Sequence, residues 1–178
     1  MYDLGRGVPQ DDQEAVKWFR LSAEQGNAKA QYNLGAMYAN GEGVPQDYKE
    51  AVKWYRLSAE QGDAKAQNNI YQLAKKNIPE ALQFLVKDAK DGIDKAQNKL
   101  GEVYSQGLGL PQSYLDAHMW FNLSGSQGNR GAIRNRNKME RKMSPEQIVQ
   151  AQEMARNWKP EHLKGVLEKL QEIIGTNE

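Results

Sequence analysis

The sequence predicts an all-α fold built from consecutive helical hairpins. Two observations carry this prediction: a block of about 36 residues recurs along the chain, and within each block apolar residues recur with the helical period of 3.6. Residues 1–27 align with residues 37–63 at an offset of 36, and 20 of the 27 aligned positions are identical. Repetition of this kind is typical of solenoids, in which each hairpin packs on its neighbours.

The first helix of the repeat is clearest in residues 28–63, the most complete block. Its apolar stripe consists of Ala30, Leu34, Met37 and Tyr38. Gly35 lies in the middle of this helix, where glycine costs about 1 kcal/mol relative to alanine, so we expect a neighbouring helix to pack closely there. Asn40 and Gly41 are a typical helix end.

The second helix follows a glycine-rich loop and begins at Asp47, the predicted N-cap, with Glu50 placed to complete a capping box. Its buried stripe should be Ala51, Trp54, Tyr55, Ser58 and Ala59, and Gly62 should end it. The loop lacks the Lys and Ser/Thr of a nucleotide-binding loop and recurs in other blocks. We therefore interpret it as a connector.

The repeat organises the chain into four blocks and a closing segment. Residues 1–27 form a partial block without its first helix, 28–63 a full block, 64–93 a shortened block, and 94–129 a full block. Residues 130–178 depart from the repeat and should form capping helices, because the core of a terminal hairpin must be covered. We expect one continuous monomeric domain without strands, with about nine helices stacked in sequence order.

The composition narrows the possible chemistry. The chain has 178 residues, a formal net charge of +1 and no cysteine, which excludes disulfides, thiol catalysis and cysteine metal sites. His118 and His162 lie far apart and share no metal-ligand spacing, and no cofactor motif is present. No apolar run has the length of a membrane span, and no signal peptide is visible. Both a cytosol and a bacterial periplasm are compatible with these features.

The motif LGxMYxxGxGVPQDYxxAVKWYRxxAEQG resembles the Sel1-like repeat, a relative of the tetratricopeptide repeat. The resemblance covers residues 1–129, and the segment from MWFNLSGSQGN to MSPEQIVQAQEMARNW is similar to the end of many bacterial members. It implies a right-handed α/α superhelical solenoid with a C-terminal helical cap. It also implies an adaptor that binds a protein or peptide, without cofactors or shared catalytic residues.

In related repeats the first helices line the concave binding surface. The polar and small residues that the apolar stripes leave outside the core are Tyr32, Asn33, Ala36, Asn68, Asn69, Gln72, Asn98, Lys99 and Glu102. Amide side chains among them carry both donors and acceptors, and so match the backbone of an extended peptide. We predict that these nine residues contact the partner.

A second hypothesis concerns the basic stretch 130–142, which carries six lysine and arginine residues against one acid, Glu140. These charges could contact nucleic-acid phosphates or an acidic protein surface. The absence of interleaved aromatic residues and the nearly neutral chain argue against nucleic acid. An enzyme is the third hypothesis, but His118 is better explained as a packed side chain than as a catalytic group.

The partial first block leads to a further expectation at the N-terminal edge. Without the first helix of that block, an apolar strip near Val8, Ala15 and Phe19 should remain open. Such strips recruit a partner surface or promote association. We therefore expect either that the chain is a fragment of a longer solenoid or that this edge self-associates.

Overall fold

The computed structural model describes residues 11–175. This range forms ten α-helices and one 3₁₀ turn, and it contains no strand. The helices are α1 Asp12–Glu24, α2 Ala28–Asn40, α3 Tyr48–Glu60, α4 Ala64–Lys75, α5 Pro79–Lys90, α6 Asp94–Gln106, α7 Tyr114–Ser126, α8 Arg130–Glu140, α9 Pro145–Arg156 and α10 Lys164–Gly175, with the 3₁₀ turn at Pro160–Leu163. The predicted all-α hairpin fold is confirmed, with one helix more than the nine expected.

The chain divides into two compact units, residues 1–73 and 74–178. In the first unit, α2 packs against both α1 and α3. The core between these helices consists of Ala15, Val16, Ala23, Ala30, Leu34, Met37 and Trp54. Most of the predicted stripe of α2 is therefore buried, and Trp54 is a core residue as predicted.

In the second unit, neighbouring helices pack in chain order from α5 to α8, and α9 packs against α7. The last helix departs from the expected order, because α10 and the 3₁₀ turn pack against α5. Leu82, Leu85 and Val86 lie at i, i+3 and i+4 on one face of α5, and all three are buried. The helix is covered by α6, by α10 and by the 3₁₀ turn.

The mid-helix glycines allow close packing between the two helices of a hairpin. A Cβ atom at Gly35 would lie 2.8 Å from Cδ1 of the Tyr55 ring. A Cβ atom at Gly101, the equivalent position in α6, would lie 2.6 Å from Cε1 of Phe121. The close packing predicted at Gly35 is confirmed, and the neighbour is an aromatic ring of the second helix.

The loop glycines have structural roles. Gly41 ends α2 in the left-handed conformation with a φ of 76°, and its N–H donates to the carbonyl of Met37. Gly43 lies against the start of α1, where an added Cβ would be 2.2 Å from the carbonyl oxygen of Asp12. The loop that connects α2 to α3 therefore also contacts the start of α1. These contacts favour its interpretation as a connector.

Side-chain caps begin both α3 and α9. Ser144 and Gln147 form the reciprocal capping box of α9, with distances of 3.3 and 2.9 Å between the paired atoms. Asp47 caps α3 by accepting from the N–H of Glu50 at 3.0 Å. The capping box predicted for Glu50 is wrong, because its carboxylate pairs with Lys53 at 3.2 Å.

The open strip expected at the N-terminal edge is only partly testable, since Val8 lies outside the described residues. At Ala15 the prediction is wrong: this residue is buried because α2 packs against α1 and brings Leu34 into the same cluster. Phe19 is half-buried at the edge of that cluster. The large apolar side chains of α1 that do face outward are Trp18 and Leu21, which are 57% and 52% exposed.

Trp54 and Trp18 occupy equivalent repeat positions but differ in burial, which gives a matched pair of variants. We expect Trp54→Ala to lower the free energy of unfolding by about 3–5 kcal/mol, the usual cost of truncating a buried aromatic residue. Trp18→Ala should cost less than about 1 kcal/mol. Urea denaturation of both variants measures the difference, and similar losses for the two would contradict this description of the core.

Gly101 and Gly165 give a second matched pair, within the second unit. We expect Gly101→Ala to destabilise by about 1–3 kcal/mol, because the new Cβ overlaps the Phe121 ring. Gly165 has no atom within 4 Å of an added Cβ, so Gly165→Ala should range from neutral to about 1 kcal/mol stabilising. A stabilising Gly101→Ala in thermal denaturation would show that the ring moves aside at no cost.

Candidate functional site

The predicted binding residues of the first unit lie on α2 and α4. Tyr32, Asn33 and Ala36 are half-buried on α2. On α4, Asn68 and Gln72 are exposed and Asn69 is half-buried. Each of these side chains is thus at least partly accessible, as a contact residue must be. None of them belongs to the core cluster of this unit.

Tyr55 contacts two of these residues, Tyr32 and Asn69. Its ring centroid is 5.7 Å from that of Tyr32, and the planes are tilted by 49°. Its hydroxyl is hydrogen-bonded to the side chain of Asn69, and burial raises its pKa to about 12. Since the same ring also lies against Gly35, Tyr55 fixes Tyr32 and Asn69 to the packed interior of the hairpin.

The other amides of this surface are not engaged within the described structure. Asn33, Asn68 and Gln72 form no side-chain hydrogen bond with any residue between 11 and 175. An amide carries two N–H donors and a carbonyl acceptor, all of which can bind a partner without first breaking an internal bond. These three residues are the most available polar groups of the predicted surface.

The predicted residues of the second unit lie together, but they bind one another. The Glu102 carboxylate accepts from Lys99 at 3.1 Å and from Lys75 at 3.0 Å. Asn98 accepts from the side-chain amide of Asn135 at 3.1 Å. Lys75 and Asn135 were not predicted as part of this group. Their positions on α4 and α8, two predicted first helices, give the only sequence indication.

A set of buried glutamines that link successive helices was not predicted from the sequence. Gln31 donates to the carbonyl of Ala23 at 3.1 Å and accepts from the Gln61 amide at 2.8 Å. Gln97 repeats both bonds, donating to the Ala89 carbonyl and accepting from Gln127. The recurrence of glutamine at this position in consecutive blocks was the available indication, and it marks a structural role.

One cation of the basic stretch, Arg136, is bound by side chains of its own unit, whereas the other cations are exposed. Arg136 lies 3.5 Å from the Glu140 carboxylate and donates to Asn122 at 3.1 Å. The exposed cations of the stretch are Arg130, Arg134, Lys138, Arg141 and Lys142. Lys142 also lies over the ring of Tyr114, 5.4 Å from its centroid. Whether these charges bind nucleic acid or an acidic protein stays a prediction.

His118 is a packed residue, as the sequence indicated. It is completely buried on α7, and its Nε2 lies 3.1 Å from Oε1 of Glu140. Within residues 11–175, no group of three or more His, Cys, Asp or Glu residues is arranged to hold a metal ion. None of the helices in this range is both long enough and apolar enough to cross a membrane.

The family model of the Sel1 repeat matches three segments of the chain, residues 1–27, 28–63 and 94–129. The chain belongs to the Sel1 repeat family. The resemblance inferred from the repeat motif is therefore confirmed. Proteins of this family generally act as protein-interaction scaffolds and are typically non-catalytic. Residues 64–93, the shortened block, are outside the matched segments.

Three relatives illustrate the similarity. A sel1-like repeat-containing protein of Acanthamoeba polyphaga mimivirus is 32% identical over 107 residues, which are 60% of this chain and 20% of the viral protein. The crystal structure of a Sel1 repeat protein from Oxalobacter formigenes is 37% identical with a TM-score of 0.50, over 74% of this chain and 56% of that one. A protective antigen of uropathogenic Escherichia coli, which displays an SLR fold, is 28% identical with a TM-score of 0.40, over 96% of this chain and 46% of that one.

Tyr104, at the end of α6, gives a prediction about alkaline stability. Burial raises its pKa to about 12, and the Asp116 carboxylate adds to the shift. The unfolded chain releases this proton near pH 10, whereas the folded chain keeps it to about pH 12, so the free energy of unfolding falls as the pH rises through this interval. Between about pH 9 and about pH 11, the free energy of unfolding should fall in both proteins. The fall should be smaller for Tyr104→Phe than for the wild type, by on the order of 1–2 kcal/mol.

Urea titrations of the wild type and of Tyr104→Phe at these two pH values provide the measurement. The remaining tyrosines and the lysines are common to both proteins, so their titration cancels in the comparison. Equal losses of stability in the two proteins would mean that the Tyr104 hydroxyl reaches water in the folded state.

Proposed function

We propose that this chain is a non-catalytic adaptor that binds an extended segment of a partner protein along its first helices. The proposal agrees with the general role of Sel1-repeat proteins as protein-interaction scaffolds. The chain spans only 20% of the viral relative and 56% of the Oxalobacter structure, so the role of a whole protein of this type belongs to the proposal as well.

One observation carries the proposal: three amides of α2 and α4, Asn33, Asn68 and Gln72, form no side-chain hydrogen bond with any residue between 11 and 175. A peptide in extended conformation presents alternating N–H and C=O groups along its edge. Amide side chains can bond to both, and they do so without selecting a particular residue of the partner. Backbone recognition of this kind suits an adaptor, with selectivity supplied by neighbouring side chains such as Tyr32.

The packing around the Tyr55 ring supports this function. The Tyr55 ring contacts Tyr32, bonds to Asn69 and lies against Gly35, so the underlying helices are fixed before a partner arrives. A preorganised surface loses little conformational entropy on binding, and that entropy is one of the main costs of association. The amides are therefore presented from a rigid base.

In the second unit, the C-terminal helices α9 and α10 pack on second helices and not on first helices. The helices α9 and α10 pack against α7 and α5, which are the second helices of their hairpins. Within the second unit, the ion pairs of Glu102 with Lys75 and Lys99 form a charged section. A carboxylate or carbonyl of the partner could replace part of the Lys–Glu contact there.

The proposal can be tested with peptides selected against the purified chain from a displayed library of random sequences. We expect the double variant Asn33→Ala, Gln72→Ala to raise the Kd of a selected peptide about tenfold or more, since each lost hydrogen bond is worth about 0.5–1.5 kcal/mol. Fluorescence anisotropy with a labelled peptide measures the Kd. Asn69 is left intact in this variant because it bonds to Tyr55.

The matched control combines Lys53→Ala with Arg56→Ala, two exposed changes on the second helix α3, and should leave the Kd unchanged. Methylation of single backbone nitrogens in the peptide provides an independent measurement, because backbone recognition predicts a loss at defined positions. Unchanged affinity in the first-helix variant, together with a loss in the α3 variant, would overturn the assignment of this surface.

A further inference from the structure

The second unit contains a cavity of about 420 Å³ away from the predicted binding residues. Its walls come from α7, α9 and the 3₁₀ turn, with Tyr104 contributed by the end of α6. The volume is within the range of cavities that hold small ligands or single large side chains, about 300–1,000 Å³. It is thus large enough for one long side chain of a partner.

Two tryptophans form the aromatic part of this cavity. Trp120 on α7 is almost completely buried. Trp158, just after α9, meets it edge-on, with the ring centroids 5.5 Å apart and the planes at 67°. The chain then turns at Lys159 and Pro160 into the 3₁₀ turn, which adds Leu163 to the lining. The packing of α9 against α7 therefore creates the cavity between them.

Two carboxylates line the cavity, from the half-buried Asp116 and the exposed Glu153. The other polar lining groups include the imidazole of His162 and the amides of Gln150 and Asn157, and no lysine or arginine lines it. Neither carboxylate forms an ion pair with a residue in the range 11–175. The two carboxylates attract a cation by direct charge, and the half-buried indole of Trp158 adds the attraction of its negative face. A neutral or anionic ligand would gain from neither.

The geometry points to a specific occupant: we propose that this cavity binds the guanidinium group of an arginine side chain from a partner protein. A guanidinium is planar, stacks on aromatic rings and donates in pairs to carboxylates, whereas an ammonium is compact and more strongly hydrated. The indole N–H of Trp158 is buried and has no hydrogen-bond partner in the described structure. The site is separate from the first-helix surface and does not depend on its function.

The test is a titration of the ¹⁵N-labelled chain with N-acetyl-arginine amide, followed by NMR at the indole N–H signals. The chain has four tryptophans, so Trp18 and Trp54 act as internal references for Trp120 and Trp158. We expect saturable shifts at Trp120 and Trp158 alone. The citrulline analogue has nearly the same shape without the charge and should cause no such shift, and the lysine analogue should bind more weakly.

Variants of the two carboxylates complete the experiment. Asp116→Asn and Glu153→Gln should each raise the Kd about tenfold, corresponding to the loss of one charge-assisted contact. Glu146→Gln, on the same helix as Glu153 but outside the cavity lining, should leave it unchanged. The fold of each variant is checked in the same spectra. Equal binding of citrulline or lysine, or an unchanged Kd in both cavity variants, would overturn the proposal.

A titration without saturable shifts at Trp120 and Trp158 up to about 50 mM would also overturn it, because such a Kd is too weak for a defined side-chain site. Shifts confined to Trp18 or Trp54 would have the same consequence. The peptide experiment on Asn33 and Gln72 uses a different unit of the chain. Failure of one proposal is therefore distinguishable from failure of the other.

Discussion

The structure depends on the close approach between an aromatic ring of one helix and the backbone of another at a glycine. Tyr55 packs on Gly35 and Phe121 packs on Gly101 with separations that leave no room for a methyl group. A mid-helix glycine costs about 1 kcal/mol, whereas burying a large aromatic side chain contributes about 1.5–3 kcal/mol, so the exchange favours the hairpin. Tyr55 also contacts Tyr32 and Asn69, and thus connects the packing of the hairpin to its accessible surface.

Features whose determinants lie within one hairpin could be predicted from the sequence. The helical period places Leu34 and Trp54 in the core, Gly41 ends a helix, and Asp47 begins one; each of these depends on neighbours only a few residues away. The wrong capping box at Glu50 shows the limit of such local rules. Its carboxylate has two candidate partners within one turn of helix, the N-cap N–H and Lys53, and the ion pair forms.

Interactions between distant parts of the chain could not be predicted in this way. The return of α10 to α5 depends on how much apolar surface α5 leaves uncovered, which a one-dimensional pattern does not report. The burial of Gln31 and the engagement of Glu102 also depend on partners in other helices, Gln61 for the first and Lys75 for the second. A polar residue outside an apolar stripe is therefore only a candidate for binding. Among the predicted contact residues, Glu102 is already satisfied and Asn33 is not.

The nearly neutral net charge conceals a separation of charge within the second unit. Glu140 is occupied by Arg136 and His118, so the remaining cations of α8 have no acidic partner on their own helix, and Arg130, Arg134 and Lys138 remain exposed. Asp116 and Glu153 are likewise unpaired in the described residues, although the unit contains enough cations to neutralise them. A half-buried carboxylate such as that of Asp116 loses some of its hydration, and a ligand of opposite charge restores the missing contacts. Net charge consequently says little about what this protein can bind, and the arrangement of local groups is what selects a partner.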